Sequence, residues 1–180
     1  MAKVCVLLAN GFEEIEAITI IDVLRRASID VVTLGVASAQ VRGAHGVTVQ
    51  ADRLLKGSER DAWDMVILPG GMPGSTNLRD DPAVQALIVR QAGEGKMIGA
   101  ICAAPIALGK AGVLKGKKAT SYPGFEGQLT GAICQESRVV RDGNVFTSRG
   151  PGTAMEFALE IASALKGKET AAGVRKGMLV

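Results

Sequence analysis

Cys102 is the residue in this sequence best placed to do chemistry. It follows the apolar run 97–101 and precedes Ala103, Ala104 and Pro105, a pattern that predicts a strand, a tight corner and a helix. Such a corner presents the sulfur at the end of a sheet, as a nucleophile elbow does, and the positive end of the helix dipole favours the thiolate. The alternative is a small buried hydrophobic residue, the usual environment of a free cysteine.

Three carboxylates follow the first strand and are candidate partners for the thiol. Glu13, Glu14 and Glu16 fall in the first turn of a predicted helix, where acidic side chains also suit the helix dipole. Successive helical residues point about 100° apart, so at most one or two of the three face inward. The sequence alone does not choose among them.

A glycine loop and a single histidine complete the candidates. The loop Leu68-Pro69-Gly70-Gly71-Met72-Pro73-Gly74 can bring backbone N–H groups close to a ligand and form an oxyanion hole with the amide after Cys102, unless it is a simple turn. His45 lies in a glycine-rich loop, which is typical of a surface residue. Because cysteine hydrolases and amidotransferases use a base that is usually histidine, this pattern argues against them.

The elements that position these residues alternate between strand and helix. Strands are predicted at 3–8, 30–34, 64–68, 97–101 and 118–121, a strand or hairpin at 41–51, a hairpin at 138–148, and helices at 13–27, 82–93, 103–111, 151–165 and 168–176. This order predicts one α/β domain over residues 1–180, with helices on both faces of a mostly parallel sheet. Ligands of such sheets bind beyond the carboxyl ends of the strands, where the candidate residues meet.

Composition narrows the function classes. The 180 residues are 47% hydrophobic and 22% charged, with a net charge of +3, as in an ordinary globular protein. No apolar run is long enough for a membrane span, and with 3% aromatic residues a nucleic-acid partner is not expected. We expect a cytoplasmic protein with three free thiols, in which Cys5 is core and Cys134 lies at the surface. A phosphate-binding module is disfavoured because the loop after the first strand is acidic.

Four segments, in order along nearly the whole chain, resemble the ThiJ/PfpI superfamily and, within it, the DJ-1 branch. They are Gly11-Phe12-Glu13-Glu14-Ile15-Glu16, Leu68-Pro69-Gly70-Gly71, Ala100-Ile101-Cys102-Ala103-Ala104-Pro105 and Thr147-Ser148-Arg149-Gly150-Pro151-Gly152-Thr153. The resemblance implies a flavodoxin-like three-layer sandwich with a nucleophile elbow, and a homodimer. Ala103 replaces the histidine of the protease-like branch, so proteolysis is not expected.

The resemblance also implies roles for individual residues. Cys102 matches the nucleophile and redox cysteine, and Glu16 its partner carboxylate. The remaining matches are Gly70, Gly71 and Ala103 for the pocket amides, Arg26 for an arginine that reaches the pocket across the dimer, and Pro151, His45 and Tyr122 for the pocket surroundings. His45 and Tyr122 depart from an arginine and a histidine of the family, so anion binding at the mouth is not assured.

The implied activity is a glutathione-independent glyoxalase or deglycase without metal or organic cofactor. Its substrates would be methylglyoxal, glyoxal or their early protein and nucleotide adducts, as protection against carbonyl and oxidative stress. The alternative is a peroxide-sensing chaperone with client proteins, in which the Cys102 thiolate oxidises to a sulfinate that Glu16 stabilises.

Overall fold

The structure is a computed structural model that describes residues 2–180. Its strands are β1 Lys3–Leu8, β2 Asp30–Gly35, β3 Gln40–Arg42, β4 Thr48–Gln50, β5 Arg53–Leu54, β6 Met65–Leu68, β7 Met97–Ile101, β8 Lys118–Ala119, β9 Ile133–Cys134, β10 Val139–Asp142 and β11 Val145–Ser148. Its α-helices are α1 Glu14–Arg26, α2 Gly74–Asp80, α3 Pro82–Gly93, α4 Pro105–Lys110, α5 Ala154–Lys166 and α6 Lys168–Gly177. Among these residues, no helix is long and apolar enough to cross a bilayer.

Seven strands form the central sheet, in the order β10-β11-β7-β6-β1-β2-β5. Every pairing in it is parallel except that of β10 with β11, which confirms the mostly parallel α/β sheet. The hairpin β3–β4 and the parallel pair β8–β9 lie outside this sheet. The strand predicted at 118–121 therefore belongs to a separate small ribbon.

Two apolar layers cover the sheet, one on each face. In β1, Val4, Val6 and Leu8 face the layer that contains α1 and α5, whereas Cys5 and Leu7 face the layer that contains α3 and α4. The period of two in β1 thus accounts for a nearly continuous apolar run that is buried on both faces. This three-layer arrangement brings the carboxyl ends of β1, β6 and β7 to one edge of the sheet.

Candidate active site

Cys102 lies at the corner between β7 and α4 in a left-handed backbone conformation with φ +63°. A non-glycine residue in this region carries strain of about 1–3 kcal/mol, which the surrounding structure must hold in place. The Cys102 N–H donates to Ser148 O at 2.9 Å, and Cys102 O accepts from Tyr122 N–H at 2.7 Å. The predicted nucleophile elbow is present, and the residue keeps 9% of its surface exposed.

Glu16 is the carboxylate that points to the cysteine, and the structure makes this choice among the three glutamates. It is fully buried, and its Oε2 accepts a hydrogen bond from Gly70 N–H at 2.7 Å. Its Oε1 is buried and makes no hydrogen bond of normal geometry to the described residues. The Cys102 thiol nevertheless interacts with this carboxyl group. As a result, the pKa of each group depends on the other.

Burial raises the pKa of Glu16 from 4.5 to about 7, because desolvation penalises the carboxylate more than the hydrogen bond from Gly70 favours it. Burial and the Glu16 charge likewise raise the pKa of Cys102 to about 12. Since each negative charge opposes the other, the pair holds at most one negative charge around neutral pH. A Cys102 thiolate therefore forms when the shared proton is on Glu16.

The expectation that the corner favours the thiolate is not met, because burial and the Glu16 charge raise the pKa of Cys102. Helix α4 begins only at Pro105 and is six residues long. Local N–H groups act instead, since the amides of Gly71 and Ala103 lower the pKa of the Cys102 thiol, although burial outweighs them. These two amides face the sulfur and can stabilise negative charge on sulfur or on an adjacent oxygen.

Gly70 has a different position from the one expected of a pocket amide. Its N–H is occupied by Glu16, and a Cβ at this position would overlap the Cys102 Cβ and the Glu16 carboxylate. Gly70 therefore lets the acid and the thiol approach each other. The amides of Gly71 and Ala103 remain for a substrate oxygen.

The comparisons with known proteins agree with this geometry. The model of the DJ-1/PfpI family matches residues 2–164. The chain belongs to the DJ-1/PfpI family. It is 46% identical to Protein dj-1beta of Drosophila melanogaster, over 97% of this chain and 95% of that protein. A crystal structure of Drosophila melanogaster DJ-1beta superposes with a TM-score of 0.95 at 44% identity, covering 99% of this chain and 98% of the other.

Two further relatives bear on function. The protein named glutathione-independent glyoxalase DJR-1.2 of Caenorhabditis elegans is 37% identical, over 87% of this chain and 84% of that protein. A structure described as Toxoplasma gondii DJ-1, oxidized, has a TM-score of 0.96 at 41% identity, covering 99% of this chain and 98% of the other. Membership in this family, with a relative that carries a glyoxalase name, supports a glyoxalase-type enzyme.

A cavity of about 270 Å³ opens above Cys102. Gly71, Ala103, Tyr122 and Pro151, all expected near the pocket, line it. Glu13, one of the three candidate carboxylates, and Met72, from the glycine loop, also line it. Phe125 is the lining residue that the sequence interpretation did not include, because nothing local to it marks it as a pocket residue.

His45 lies outside the cavity, at the surface, as its glycine-rich loop predicted. Its Nδ1 is 3.1 Å from Glu14 Oε2 and 3.5 Å from Glu13 Oε1, and its side chain is 70% exposed. The hydrogen bond to Glu14 and the charges of both glutamates raise the pKa of His45. Because Glu13 lines the cavity, His45 contacts the wall of the pocket and not its interior.

Arg26 lies away from Cys102 within the single chain. It ends α1, where its Nε donates to Asp22 Oδ2 at 2.8 Å, and it faces a groove along α6. Its predicted role requires a second copy of the chain and stays a prediction. Cys5 is buried and Cys134 exposed, which confirms the environments expected for them.

Proposed function

We propose that this protein is a cysteine-dependent glyoxalase that converts methylglyoxal to lactate and glyoxal to glycolate. The observation that carries the proposal is a buried carboxyl group with a pKa near 7 beside a strained cysteine at the floor of a cavity. A group with such a pKa both accepts and donates protons at neutral pH. The glyoxalase name of the Caenorhabditis elegans relative supports the same activity.

The first step makes the nucleophile and the carbon–sulfur bond. Glu16 takes the thiol proton, and the Cys102 sulfur adds to the aldehyde carbon. The carbonyl oxygen takes that proton back from Glu16 and becomes the hydroxyl of a hemithioacetal, which leaves Glu16 as a carboxylate. The amides of Gly71 and Ala103, which already lower the pKa of the sulfur, stabilise the negative charge on that oxygen during addition.

The second step moves hydrogen within the substrate. The Glu16 carboxylate removes the C–H proton of the hemithioacetal carbon and gives an enediol, which takes a proton at the neighbouring carbon. The former aldehyde carbon is thereby oxidised to a thioester, and the former ketone carbon is reduced to an alcohol. Water then cleaves the thioester, releases the hydroxy acid and restores the thiol. Each step uses groups of this chain and needs no external oxidant or reductant.

Turnover of methylglyoxal to lactate by the purified protein tests this proposal. Cys102→Ser and Glu16→Gln should each lose most of the activity, the latter by about 10²–10⁴-fold because it lacks the proton-transfer group. Cys134→Ser is the matched control, since this thiol is exposed and does not line the cavity. Full lactate production by either active-site variant would overturn the mechanism.

Deglycation is a more specific activity that we propose for the same site. An early adduct of methylglyoxal with a protein or nucleotide amine is a hemiaminal with the same carbon skeleton. The Cys102 sulfur would bond to the hemiaminal carbon as the C–N bond breaks, the amine would leave with a proton from Glu16, and the same hemithioacetal would result. Because removal of free methylglyoxal imitates repair, the assay must start from purified adduct with free aldehyde scavenged. Release of unmodified amine that depends on Cys102 supports deglycation, and release at the uncatalysed rate refutes it.

A second candidate function is peroxide sensing, with chaperone activity towards client proteins in the oxidised state. The buried Oε1 of Glu16 favours it, because a protonated carboxyl group there can donate a hydrogen bond to a Cys102 sulfinate. The description of the Toxoplasma gondii structure as oxidized is consistent with this chemistry. A gain of 32 Da confined to Cys102 after mild peroxide, measured by intact mass and peptide mapping, supports sensing. Indiscriminate oxidation of all three cysteines counts against it.

We propose that the protein acts as a cytoplasmic homodimer. Helix α1 leaves Ile15 and Ile18 exposed, and Val47 adds exposed apolar surface near the β3–β4 hairpin. A second copy that covers this surface would bring its own Arg26 towards the pocket. Light scattering should give twice the chain mass, and Ile18→Glu should give the monomer. A monomeric wild type would refute this arrangement.

A further inference from the structure

The cavity above Cys102 has mostly apolar walls. Its sides are formed by Met72, Tyr122, Phe125 and Pro151, with Ala103 near the sulfur. Glu13 is the single carboxylate among the residues that line it. Glu13 would repel an anionic group on a substrate, so the lining favours a substrate with an uncharged, apolar substituent.

The cavity is also larger than methylglyoxal requires. Its volume of about 270 Å³ equals the share of roughly nine water molecules in the liquid, at about 30 Å³ each. Methylglyoxal is a three-carbon molecule and fills roughly half of this space. Room therefore remains for a substituent of about the size of an aromatic ring.

The chemistry fixes the direction in which a substrate lies. The aldehyde carbon must reach the sulfur, beside the amides of Gly71 and Ala103. The rest of the molecule then points towards the mouth, where Met72 is 48% and Tyr122 is 47% exposed. Covering such apolar surface is favourable, because it removes the surface from water.

We propose that the preferred substrates are uncharged α-oxoaldehydes whose keto carbon carries an aryl or branched alkyl group, and that Met72 and Phe125 recognise this group. This inference rests on the proposed glyoxalase function and specifies its substrate class. Phe125 is partly buried against the apolar layer beneath α4, so its ring is a fixed wall. Met72 is held by a contact between its Sδ and Thr76 Oγ1 at 3.8 Å, and its flexible thioether adapts to the bound group.

The test compares kcat/KM for phenylglyoxal and methylglyoxal in the wild type, Met72→Ala and Phe125→Ala. We expect the wild type to prefer phenylglyoxal by about tenfold or more, the discrimination that a few apolar contacts provide. Each variant should lower this preference by about fivefold or more, because the ring loses a contact surface. Comparison between variants cancels the intrinsic reactivity of the two aldehydes.

Two variants serve as controls. Phe125→Leu keeps an apolar side chain and should keep most of the preference. Leu54→Ala removes an exposed apolar side chain from β5, the edge strand beyond β2, which does not line the cavity, and should change neither rate. Circular dichroism confirms that each variant is folded.

The outcomes separate this inference from the proposed function. A wild-type preference at or below one, or a fall of less than fivefold in both alanine variants, overturns the inference while glyoxalase activity stands. A fall of fivefold or more in either variant supports it. Absence of Cys102-dependent turnover with both aldehydes overturns the proposed function itself, and the inference with it.

Discussion

Glu16 should make the protein less stable as the pH rises from about 4.5 to about 7. The pKa of Glu16 is 4.5 in its ordinary environment and about 7 in the fold, so between these values the folded state holds a proton that the unfolded state has released. The stabilisation is fully present below 4.5 and is lost as the pH passes through 7. The difference between the two pKa values corresponds to about 3 kcal/mol.

The perturbation that isolates this effect is Glu16→Gln in a Cys102→Ser background. Glutamine keeps an oxygen for the Gly70 N–H but does not titrate, and serine removes the coupled thiol from both proteins. Urea unfolding at fixed protein concentration, at half-unit steps from pH 4.5 to 8.5, gives the free energy of unfolding of each. The difference between the pair should shift by about 3 kcal/mol in favour of the glutamine variant at the alkaline end.

Glu126→Gln is the matched control, since hydrogen bonds from the backbone N–H groups of Glu126 and Gly124 lower the pKa of Glu126 and no histidine contacts it. A group with a lowered pKa loses its stabilisation below the unfolded value, so this variant should show no such trend above pH 4.5. A difference between the Glu16 pair that stays constant within about 0.5 kcal/mol, or that shifts in the opposite direction, would refute the assignment of a neutral Glu16 at mildly acidic pH.

Four smaller predictions use other features of the fold. Gly70→Ala should destabilise by about 1–3 kcal/mol and abolish aldehyde turnover, because a Cβ there overlaps the two active side chains; urea unfolding and lactate assays check this. Gly173→Ala should raise the free energy of unfolding by about 0.5–1 kcal/mol, since the position is exposed within α6 and a Cβ meets nothing. The imidazole of His45, the only histidine, should titrate in the proton NMR spectrum with a pKa above 6.5, and Glu14→Gln should move that pKa back down. A bulky disulfide reagent should label Cys134 first in the native protein, and the buried thiol of β1 only after unfolding.

Much of the fold was predictable because its signals are local. The strands 3–8 and 97–101 and the helix 82–93 were predicted at their observed bounds, since apolar runs and an Asp-Pro start are read from adjacent residues. Asp81 indeed caps α3 by accepting from Ala83 N–H and Val84 N–H. Helix α2 and the short strands β5 and β9 were missed, because seven or fewer residues carry too little periodicity and depend on packing.

The sequence by itself determined the α/β order and the cysteine at the corner after β7, and it left three glutamates as candidate partners; the choice of Glu16 came first from the family resemblance. The tertiary structure buries Glu16 beside the thiol, because only folding decides which of Glu13, Glu14 and Glu16 points into the interior. It also decided the charge of the pair. The pKa of a buried group depends on desolvation and on neighbours distant in sequence, here Gly70 and Cys102, which no local pattern contains. For the same reason the cavity wall at Phe125 emerged only when separate loops met above the sheet.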